Sequence, residues 1–495
     1  MKSPGIGVRA GAALVFGSSA AVLVVELIAL RLLAPYVGLT LEMSTVVIGI
    51  ALAAIATGSW AGGRAADRVP PRRALGPLLV LSGLAVTVTP PAVRLAGSGD
   101  GSAILLAGGA CLFVPAALLS AVTPMVTKLL LTDLGSTGTV VGRLSGIGTA
   151  GGIAGTVLTG FVLVSVIPVS TIMLTLGVLL IVAGVVVDVL VRRRRPTARQ
   201  ALAGLVVVGA GAAGTAAVPG GCDAETRYHC AAVTADPDRD TGRTLVLDGQ
   251  RHSYVDLADP EYLDFAYVQA IASLADTAFA PGAPLDTFHI GGGGLTVPRY
   301  LTAVRPGTTS AVSEIDPGVV RLDRDLLGDR AVDDLGVRVE DGRLGLRDEA
   351  TDSRDLVVGD AFGGVSVPWH LTTAEAVADV RRVLRPGGVY TLNMIDHGPL
   401  AFARASVATL AAEFGHVAVA AAPGVWTGDD GGNLVAAASD EPLDLAAWAA
   451  RIDERGTGWR IATGAELDAW TGDARVLTDD FAPVDQLLTP YARQG

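Results

Sequence analysis

The sequence predicts a multi-span α-helical membrane bundle followed by an α/β domain with a doubly wound sheet. Hydrophobic residues make up 50% of the 495 residues, and the mean hydropathy of +0.49 is too apolar for a single soluble globule. The first 218 residues contain 15 Lys and Arg against 6 Asp and Glu, whereas the remainder contains 22 against 43. This change of charge indicates two domains in different surroundings, of which the apolar first one crosses a membrane.

Seven apolar segments of the first domain are long enough to cross about 30 Å of hydrocarbon as helices. The first segment lacks a cleavage site behind a short apolar core, so it is not a signal peptide. The seventh segment, rich in Ala and Gly, is barely long enough. The segments are 9–33, 43–64, 74–96, 103–131, 139–165, 168–191 and 200–218.

Basic residues occupy alternate loops of this bundle. Lys2 and Arg9 precede the first span, four arginines lie within 64–73, and five lie within 192–199. The positive-inside rule places these loops and the N-terminus in the cytoplasm, so that seven spans would leave the C-terminal domain outside the cell membrane. If the seventh segment only lies at the interface, that domain is cytoplasmic.

Two cysteines follow the last predicted span. Cys222 and Cys230 are separated by seven residues, a gap that a disulfide closes in an oxidising compartment. The alternative is that they are two unrelated thiols. The histidines and cysteines show no spacing typical of a metal site, so no metal is expected.

One span contains ionisable residues that are expensive in lipid. Glu26 and Arg31 lie in or at the end of the first span. They could line a cavity. We favour the alternative that Arg31 reaches the membrane edge and pairs with Glu26.

The second domain alternates strand and helix patterns, which predicts a parallel sheet with right-handed crossovers. Its first strand ends in four glycines, Gly291, Gly292, Gly293 and Gly294, where the backbone and the next helix N-terminus allow a ligand to approach closely. A glycine turn on its own is also explained as the end of a strand, without any ligand. Glu314, Asp341 and Asp360, however, end the following strands and face the same crevice, which predicts a nucleoside site.

These motifs carry a family resemblance. HIGGGGLTVPRYL, EIDP, VEDGR, DLVVGDAF and VLRPGG, with ETRYH and LVLDGQRHSY before them, resemble the spermidine synthases, which are polyamine aminopropyltransferases with a class I methyltransferase-like, Rossmann-type sheet. The whole chain resembles bacterial proteins in which a multi-span segment precedes such a domain. The resemblance implies three parts: a transmembrane domain of about seven helices over 1–218, a small β-rich subdomain and linking helix over 219–280, and a spermidine synthase-like nucleoside-binding domain over 281–495.

The resemblance also implies roles for single residues. The donor is decarboxylated S-adenosylmethionine or S-adenosylmethionine, with Glu314 on the ribose and Asp341 on the adenine. Asp360 is the base that deprotonates an amine acceptor, near Tyr267; its alternative role is to orient a loop or the ligand. The remaining residues implied at the nucleoside site are the four glycines 291–294, His229, Asp316 and Gly342.

Two departures from the family weaken the expectation of polyamine synthesis. Gly294 stands where the family has an aspartate that holds the donor ammonium, and Gly363 stands where it has a second aspartate after the base. A polyammonium substrate in a partly dry site needs paired anions. The loop 364–373, with Trp369 and His370, is either a lid over the acceptor or a packed loop, and the segment 477–488 is expected to dock on the sheet.

Two functions of different classes follow. The first is a membrane-anchored transferase that alkylates an amine or another nucleophile. The second is a nucleoside or polyamine sensor that gates a transporter-like bundle, and a third reading is an inactive scaffold. The expected partners are the small-molecule nucleoside, an amine-like acceptor and the lipid bilayer; no nucleic acid is expected, and a homodimer is compatible with the sequence.

Overall fold

The computed structural model describes residues 7–37, 41–97, 101–131, 134–192, 197–217, 222–363 and 366–488. The chain divides into two compact units, Met1–Cys230 and Ala231–Gly495. The predicted domain boundary at residues 218 and 219 lies outside the described residues.

The first unit is helical. Two of its segments are not α-helical: Leu134–Ser136 is a 3₁₀ turn, and Thr159–Leu163 is a π-helical segment. One short strand, β1 (Ala224–Glu225), follows the last helix. The helices are α1 Val8–Val37, α2 Leu41–Arg68, α3 Pro71–Gly97, α4 Gly101–Ser120, α5 Val122–Leu130, α6 Thr137–Leu158, α7 Val164–Val166, α8 Val169–Arg192 and α9 Ala198–Ala217.

Six helical segments of the described residues are long and apolar enough to cross a membrane, and α9 is the seventh apolar helix. The apolar part of α9, Leu202–Ala217, is shorter than the other six. The six are Val8–Tyr36, Met43–Arg68, Pro71–Gly97, Leu106–Leu130, Thr137–Val166 and Val169–Val191.

Glycines let the helices of this bundle approach closely. A Cβ at Gly83 in α3 would lie 2.5 Å from the Gly177 carbonyl oxygen in α8, and a Cβ at Gly184 would lie 2.6 Å from the Gly76 oxygen. Larger residues at these positions would push α3 and α8 apart, which is the usual role of small residues between membrane helices.

The second unit begins with an antiparallel meander of β2 (Cys230–Asp236), β3 (Arg239–Leu247) and β4 (Gln250–Asp256). A larger sheet follows. Its strands are β5 Asp286–Ile290, β6 Thr309–Glu314, β7 Val337–Val339, β8 Arg354–Gly359, β9 Leu384–Asp396, β10 His416–Ala421, β11 Gly432–Ser439 and β12 Arg460–Thr463. The helices are α10 Ala266–Ala278, α11 Thr296–Val304, α12 Pro317–Leu327, α13 Asp329–Asp334, α14 Gly342–Asp348, α15 Ala374–Val383, α16 Ala401–Glu413, α17 Pro423–Thr427, α18 Leu445–Glu454, α19 Gly464–Thr471 and α20 Val484–Leu487.

The strand order of this sheet is β12-β10-β11-β9-β8-β5-β6-β7. Strands β5 to β9 are parallel, whereas β11 runs antiparallel to both β9 and β10. Helices cover both faces, since Val357 of β8 packs in the core that contains α15 and α16, and Val358 packs in the core that contains α10 and α18. The predicted doubly wound fold is therefore confirmed.

The sheet has a topological switch point between β5 and β8. From β5 the chain proceeds outward through β6 and β7, and it then returns to β8 on the other side of β5. Ligands of open α/β sheets bind beyond the carboxyl ends of the strands at such a point. The glycine turn and Asp360 follow these two strands.

Candidate active site

The glycine turn is packed between the ends of β6 and β8. The Gly291 amide donates to the Ser313 carbonyl oxygen (3.0 Å), and the Asp360 amide donates to the Ile290 oxygen (2.9 Å). Gly291 has φ 101°, and a Cβ there would lie 2.2 Å from the Asp360 oxygen. Only glycine fits this conformation and this close approach.

Glu314 lies beside the turn at the end of β6. Its Oε2 accepts from the Gly292 amide (2.8 Å), and its Oε1 accepts from the Asp316 amide (2.8 Å). The carboxylate is thus held at the crevice by backbone donors. The side chain of Asp316 is fully buried and accepts from the Gly318 amide (2.8 Å), which caps α12. Ligand contacts of both residues stay predictions.

Asp341 lies at the end of β7 and caps α14. Its Oδ1 accepts from the amides of Arg343 (3.0 Å) and Leu344 (3.1 Å), and its Oδ2 lies 2.9 Å from Nε2 of His370. Burial works to raise the pKa of Asp341, but the hydrogen bonds from His370 and the two amides outweigh it, so the pKa lies below its ordinary value. Gly342 is needed for packing, because a Cβ would lie 2.4 Å from Ile290 Cγ2.

Asp360 follows β8 and is held by two polar side chains. The Asn393 amide of β9 donates to Asp360 Oδ1 (2.8 Å), and the Tyr267 hydroxyl of α10 is also hydrogen-bonded to the carboxyl group. Asn433 of β11 in turn donates to Asn393 Oδ1 (3.0 Å). This row of side chains crosses three adjacent strands.

The environment of Asp360 suits a proton acceptor. Burial raises the pKa of Asp360 to about 6, even though the hydrogen bonds from Asn393 and Tyr267 work to lower it. Burial and the nearby Asp360 also raise the pKa of the Tyr267 hydroxyl, so Tyr267 stays protonated and donates. A carboxyl group with a perturbed pKa in a crevice is typical of acid–base chemistry.

His229 lies in the first unit, in a turn beside the second cysteine. Its amide donates to Thr226 Oγ1 (2.8 Å), whose hydroxyl donates to the His229 oxygen (2.9 Å). Cys222 and Cys230 form a disulfide and are therefore not two unrelated thiols. A contribution of His229 to the nucleoside site stays a prediction.

Two bacterial polyamine aminopropyltransferases are similar in sequence to part of this chain. A segment of 147 residues is 31% identical to the probable polyamine aminopropyl transferase of Bifidobacterium longum, and it covers 28% of this chain and 32% of that protein. A segment of 149 residues is 28% identical to the polyamine aminopropyltransferase of Vibrio vulnificus, covering 29% of this chain and 49% of that protein. Part of the chain is therefore similar in sequence to polyamine aminopropyltransferases.

The solved structure of a probable spermidine synthase from Corynebacterium glutamicum is 29% identical over 52% of this chain and 95% of that chain, with a TM-score of 0.49. No protein-family model matches the chain. The matched segments span a third and about half of the lengths of the two curated relatives. Among the described residues no group of three or more His, Cys, Asp or Glu is arranged to hold a metal ion.

A side chain of β4 fills the space beside Gly294. Gly294 has φ 74°, and a Cβ there would lie 2.2 Å from the Ser253 hydroxyl oxygen of β4. On the other side, the Gly294 amide donates to Oδ1 of Asp323 in α12 (3.0 Å). Burial raises the pKa of Asp323 well above its ordinary value, which favours the protonated form of this acid.

The loop after Asp360 is fastened to the C-terminal segment. Arg343 donates to both carboxylate oxygens of Asp479 (2.7 Å each) and to the His370 oxygen (3.1 Å), while the Thr373 hydroxyl donates to Asp479 (2.8 Å). Leu477 is buried, and its amide donates to Thr409 of α16 (2.9 Å). The segment therefore docks on a helix of the sheet, as expected, and also holds the described part of the loop, 366–373; Gly364 lies outside the described residues.

Sequence reasoning missed Asn393, Asn433, Ser253 and Asp323. Three of them interrupt an apolar pattern: the two asparagines lie in buried strands, and Asp323 lies on the apolar face of α12, four residues after Val319. Ser253, in the more polar strand β4, gives no such signal. Buried polar residues are retained at a cost in free energy, so such interruptions are a readable signal.

Proposed function

We propose that this protein is a membrane-anchored transferase of the aminopropyltransferase type. The donor is an S-adenosyl nucleoside, either decarboxylated S-adenosylmethionine or S-adenosylmethionine, and the acceptor is an amine or another nucleophile. The observation that carries the proposal is Asp360, a buried acid with a pKa of about 6 at the switch point of a spermidine synthase-like sheet.

The proposed reaction needs one base. The acceptor nitrogen attacks the carbon bonded to the donor sulfonium, the carbon–sulfur bond breaks, and the thioether leaves with the electron pair. Asp360 takes the proton that the nitrogen loses. Tyr267 and Asn393 donate hydrogen bonds to Asp360 and orient its carboxylate toward the crevice. A base with a pKa near the working pH is efficient in such a transfer.

The charge of the site restricts the acceptor. Neither Gly294 nor Gly363 supplies a carboxylate, and burial favours the neutral form of Asp323 beside the turn. Asp360 then compensates a single ammonium group, and further ammonium groups of a polyamine would need other partners. We therefore expect an acceptor with one reactive amine, or a neutral nucleophile, to be preferred over a long polyamine.

A turnover assay with the full-length protein in detergent tests the proposal. Each labelled donor is incubated with monoamines, diamines and polyamines, and alkylated product is measured by mass spectrometry. We expect turnover in the wild type and a loss of at least about a hundredfold in Asp360→Asn, the usual contribution of a general base. Asp440→Asn is the matched control, because Asp440 is an exposed acid that lies in none of the motifs of the site. Equal activity of Asp360→Asn and wild type would reject the proposed base.

We further propose that the transferase unit lies outside the cell membrane. The α9 helix has 20 residues, of which Leu202–Ala217 are apolar, and in our proposal it forms a seventh span that is shorter than the other six. A disulfide between Cys222 and Cys230 is typical of an oxidising compartment. Glu225, between the two cysteines, pairs with Arg94 (3.1 Å) and accepts from Ser170, so these arginine and serine side chains lie at the same end of the bundle.

Thiol labelling in intact cells tests this placement. In a Cys111→Ala background only Cys222 and Cys230 remain, because the chain has three cysteines. We expect an impermeant maleimide to label the pair after mild reduction and to leave it unlabelled without reduction. A cysteine introduced at Arg68, the last residue of α2, is the control. The positive-inside rule places this residue in the cytoplasm, so the cysteine should react only in permeabilised cells. Labelling that requires permeabilisation at both positions would place the unit in the cytoplasm.

The sensor-gated transporter remains a second candidate because of Glu26. The guanidinium of Arg31 donates to the Thr226 oxygen (3.0 Å), and the pairing of Arg31 with Glu26 stays a prediction. An ionisable residue within a span is expensive in lipid, which favours a functional role for Glu26. Flux of labelled polyamine into proteoliposomes, abolished by Glu26→Gln, would support this candidate, whereas equal flux in the variant would reject it.

A further inference from the structure

The helix α9 is a marginal membrane span. Its apolar part, Leu202–Ala217, is about 24 Å long at about 1.5 Å per residue, whereas the hydrocarbon core of a bilayer is about 30 Å thick. The segment is rich in alanine and glycine, which bury less apolar surface than leucine or valine. The apolar surface of α9 therefore gives only a weak preference for crossing the membrane, and the contacts of this helix with the rest of the bundle become important.

Two glycines bring α9 close to α3. A Cβ at Gly211 would lie 2.7 Å from Cγ2 of Thr87, and a Cβ at Gly214 would lie 3.1 Å from Cβ of Pro91. Small residues at such positions allow membrane helices to approach closely. The last two turns of α9 thus pack along the second half of α3.

Arg94, in the last turn of α3, is bonded to the end of α9. Its guanidinium donates to the carbonyl oxygen of Thr215 and pairs with the carboxylate of Glu225 (3.1 Å). The last four carbonyl groups of a helix have no partner within the helix, and a cation at that end is favourable. The side chains of Arg94 and Glu225 are only 13% and 12% exposed, so water screens this pair weakly.

The acid that pairs with Arg94 is itself held in place. The amide (3.0 Å) and the hydroxyl (2.8 Å) of Ser170, in the first turn of α8, both donate to Glu225. The disulfide between Cys222 and Cys230 closes the loop that contains Glu225. One cluster, which we call the Arg94 clamp, therefore joins α3, α8, the end of α9 and this loop. Its members are Arg94, Ser170, Thr215 and Glu225.

The position of Arg94 is exceptional for a topology signal. Arg72 and Arg73 lie in the first turn of α3, whereas Arg94 lies in its last turn. The positive-inside rule places the first pair in the cytoplasm, so that Arg94 lies at the opposite side of the membrane. An arginine at that end works against the charge bias that orients the bundle, which favours a separate role for it.

We propose that the Arg94 clamp keeps α9 across the membrane and thereby determines the side on which the second unit lies. The inference rests on the proposed placement of that unit outside the cell membrane. The clamp supplies to a short helix, rich in alanine and glycine, the stabilisation that its apolar surface lacks. Without the clamp, α9 lies at the cytoplasmic interface in a fraction of the molecules, and Cys222 and Cys230 then stay reduced in the cytoplasm.

The state of this cysteine pair in intact cells tests the inference on the full-length protein. In a Cys111→Ala background, an impermeant maleimide is added before reduction, after mild reduction and after permeabilisation. The measured quantity is the ratio of external, disulfide-bonded protein to cytoplasmic, reduced protein. In Arg94→Leu this ratio should fall at least about tenfold, the effect of losing one hydrogen bond from a charged group. Arg94→Lys keeps a cation at the end of α9 and should show a smaller loss.

A rescue separates the position of α9 from a general packing defect. A Cβ at Gly204 or Gly209 would meet no atom of the described residues within 4 Å outside the backbone of its own helix. Leucine at both positions therefore makes α9 more apolar without a clash. The changes Gly204→Leu and Gly209→Leu should restore the external form in Arg94→Leu. The matched control is Leu95→Ala, a side chain that is 60% exposed beside Arg94, and it should leave the ratio unchanged.

Three outcomes would contradict the inference in different ways. An unchanged ratio in Arg94→Leu would overturn it, because α9 would then cross the membrane without the clamp. A loss that the two leucines do not restore would also overturn it, since Arg94 would then support the folding of the bundle and not the position of α9. Reduced, cytoplasmic cysteines in the protein with Arg94 intact would refute the proposed placement itself, whereas the first two outcomes leave that placement standing.

Discussion

The hydrogen bond from Asn393 to Asp360 allows a quantitative test of the proposed base. The Asn393 amide lies 2.8 Å from Asp360 Oδ1 and works to lower the pKa of a carboxyl group that burial raises to about 6. Asn393→Leu replaces the amide with an apolar group of similar size. The carboxylate then loses a donor that stabilises its charged form, so the pKa of Asp360 should rise further.

The size of this shift follows from the energy of the bond. A hydrogen bond to a charged group contributes about 1.5–3 kcal/mol, and one pKa unit corresponds to about 1.4 kcal/mol, so the pKa should rise by about one to two units. At pH 7 the ionised fraction of Asp360 would fall from about nine tenths to between about one half and one tenth. The ratio kcat/KM at pH 7 should fall about two- to ninefold and recover toward pH 9.

The assay is the pH profile of kcat/KM for the full-length protein with its best donor and acceptor. Asn433→Leu is the control, because Asn433 contacts Asn393 (3.0 Å) rather than the base, and the shift of the acidic limb should be smaller. An acidic limb at the same pH in Asn393→Leu and wild type would refute the assignment of that limb to Asp360. A uniform loss at every pH would indicate a packing defect and not a change of pKa.

Three further predictions concern stability, measured as thermal or denaturant unfolding in detergent. Burial raises the pKa of Asp360 from 3.8 to about 6, so the folded state favours the protonated form and the wild type loses stability as pH rises from about 4 through 6. The free energy of unfolding of Asp360→Asn should therefore exceed that of wild type by up to about 3 kcal/mol at pH 7.5, and the two should be equal below pH 4. Asp323→Asn keeps an acceptor for the Gly294 amide but does not ionise, so the fall in stability that the raised pKa of Asp323 causes as pH rises above about 4 should be absent from the variant. Replacing Cys222 and Cys230 by Ser should cost about 2 to 3 kcal/mol under oxidising conditions and nothing in reductant, since the bridged cysteines are eight positions apart. Equal stabilities under the conditions for which a difference is expected would contradict the corresponding reasoning.

Periodicity and charge were sufficient to predict the architecture. Runs of apolar residues long enough for a bilayer identified six helices, and the alternation of strand and helix patterns identified β5 to β9 in the correct order along the chain. Local patterns do not fix how strands at the far edge pair. The antiparallel insertion of β11 between β9 and β10 depends on contacts between segments distant in sequence, so no local signal predicted it.

The site was predictable where a residue ends a strand. Glu314 is the last residue of β6, Asp341 lies two residues after β7, and Asp360 directly follows β8, so all three lie at carboxyl ends of parallel strands. The partners of these acids were not predictable. His370 lies 29 residues after Asp341 and Asn393 lies 33 residues after Asp360, and which loop or strand supplies a partner depends on the tertiary packing of the unit.

The glycine at position 294 illustrates how far a motif alone leads. From the sequence it is a missing aspartate, and restoring that aspartate would be the obvious way to test for a cationic donor tail. In the fold, however, Gly294 adopts a positive φ and the Ser253 hydroxyl occupies the place of its Cβ. A side chain at 294 would need both a strained backbone and a displaced β4, so Gly294→Asp should destabilise the unit and not restore a charge. The glycine and the serine, 41 positions apart, therefore form one packing unit, and the neutral lining of the turn follows from both together.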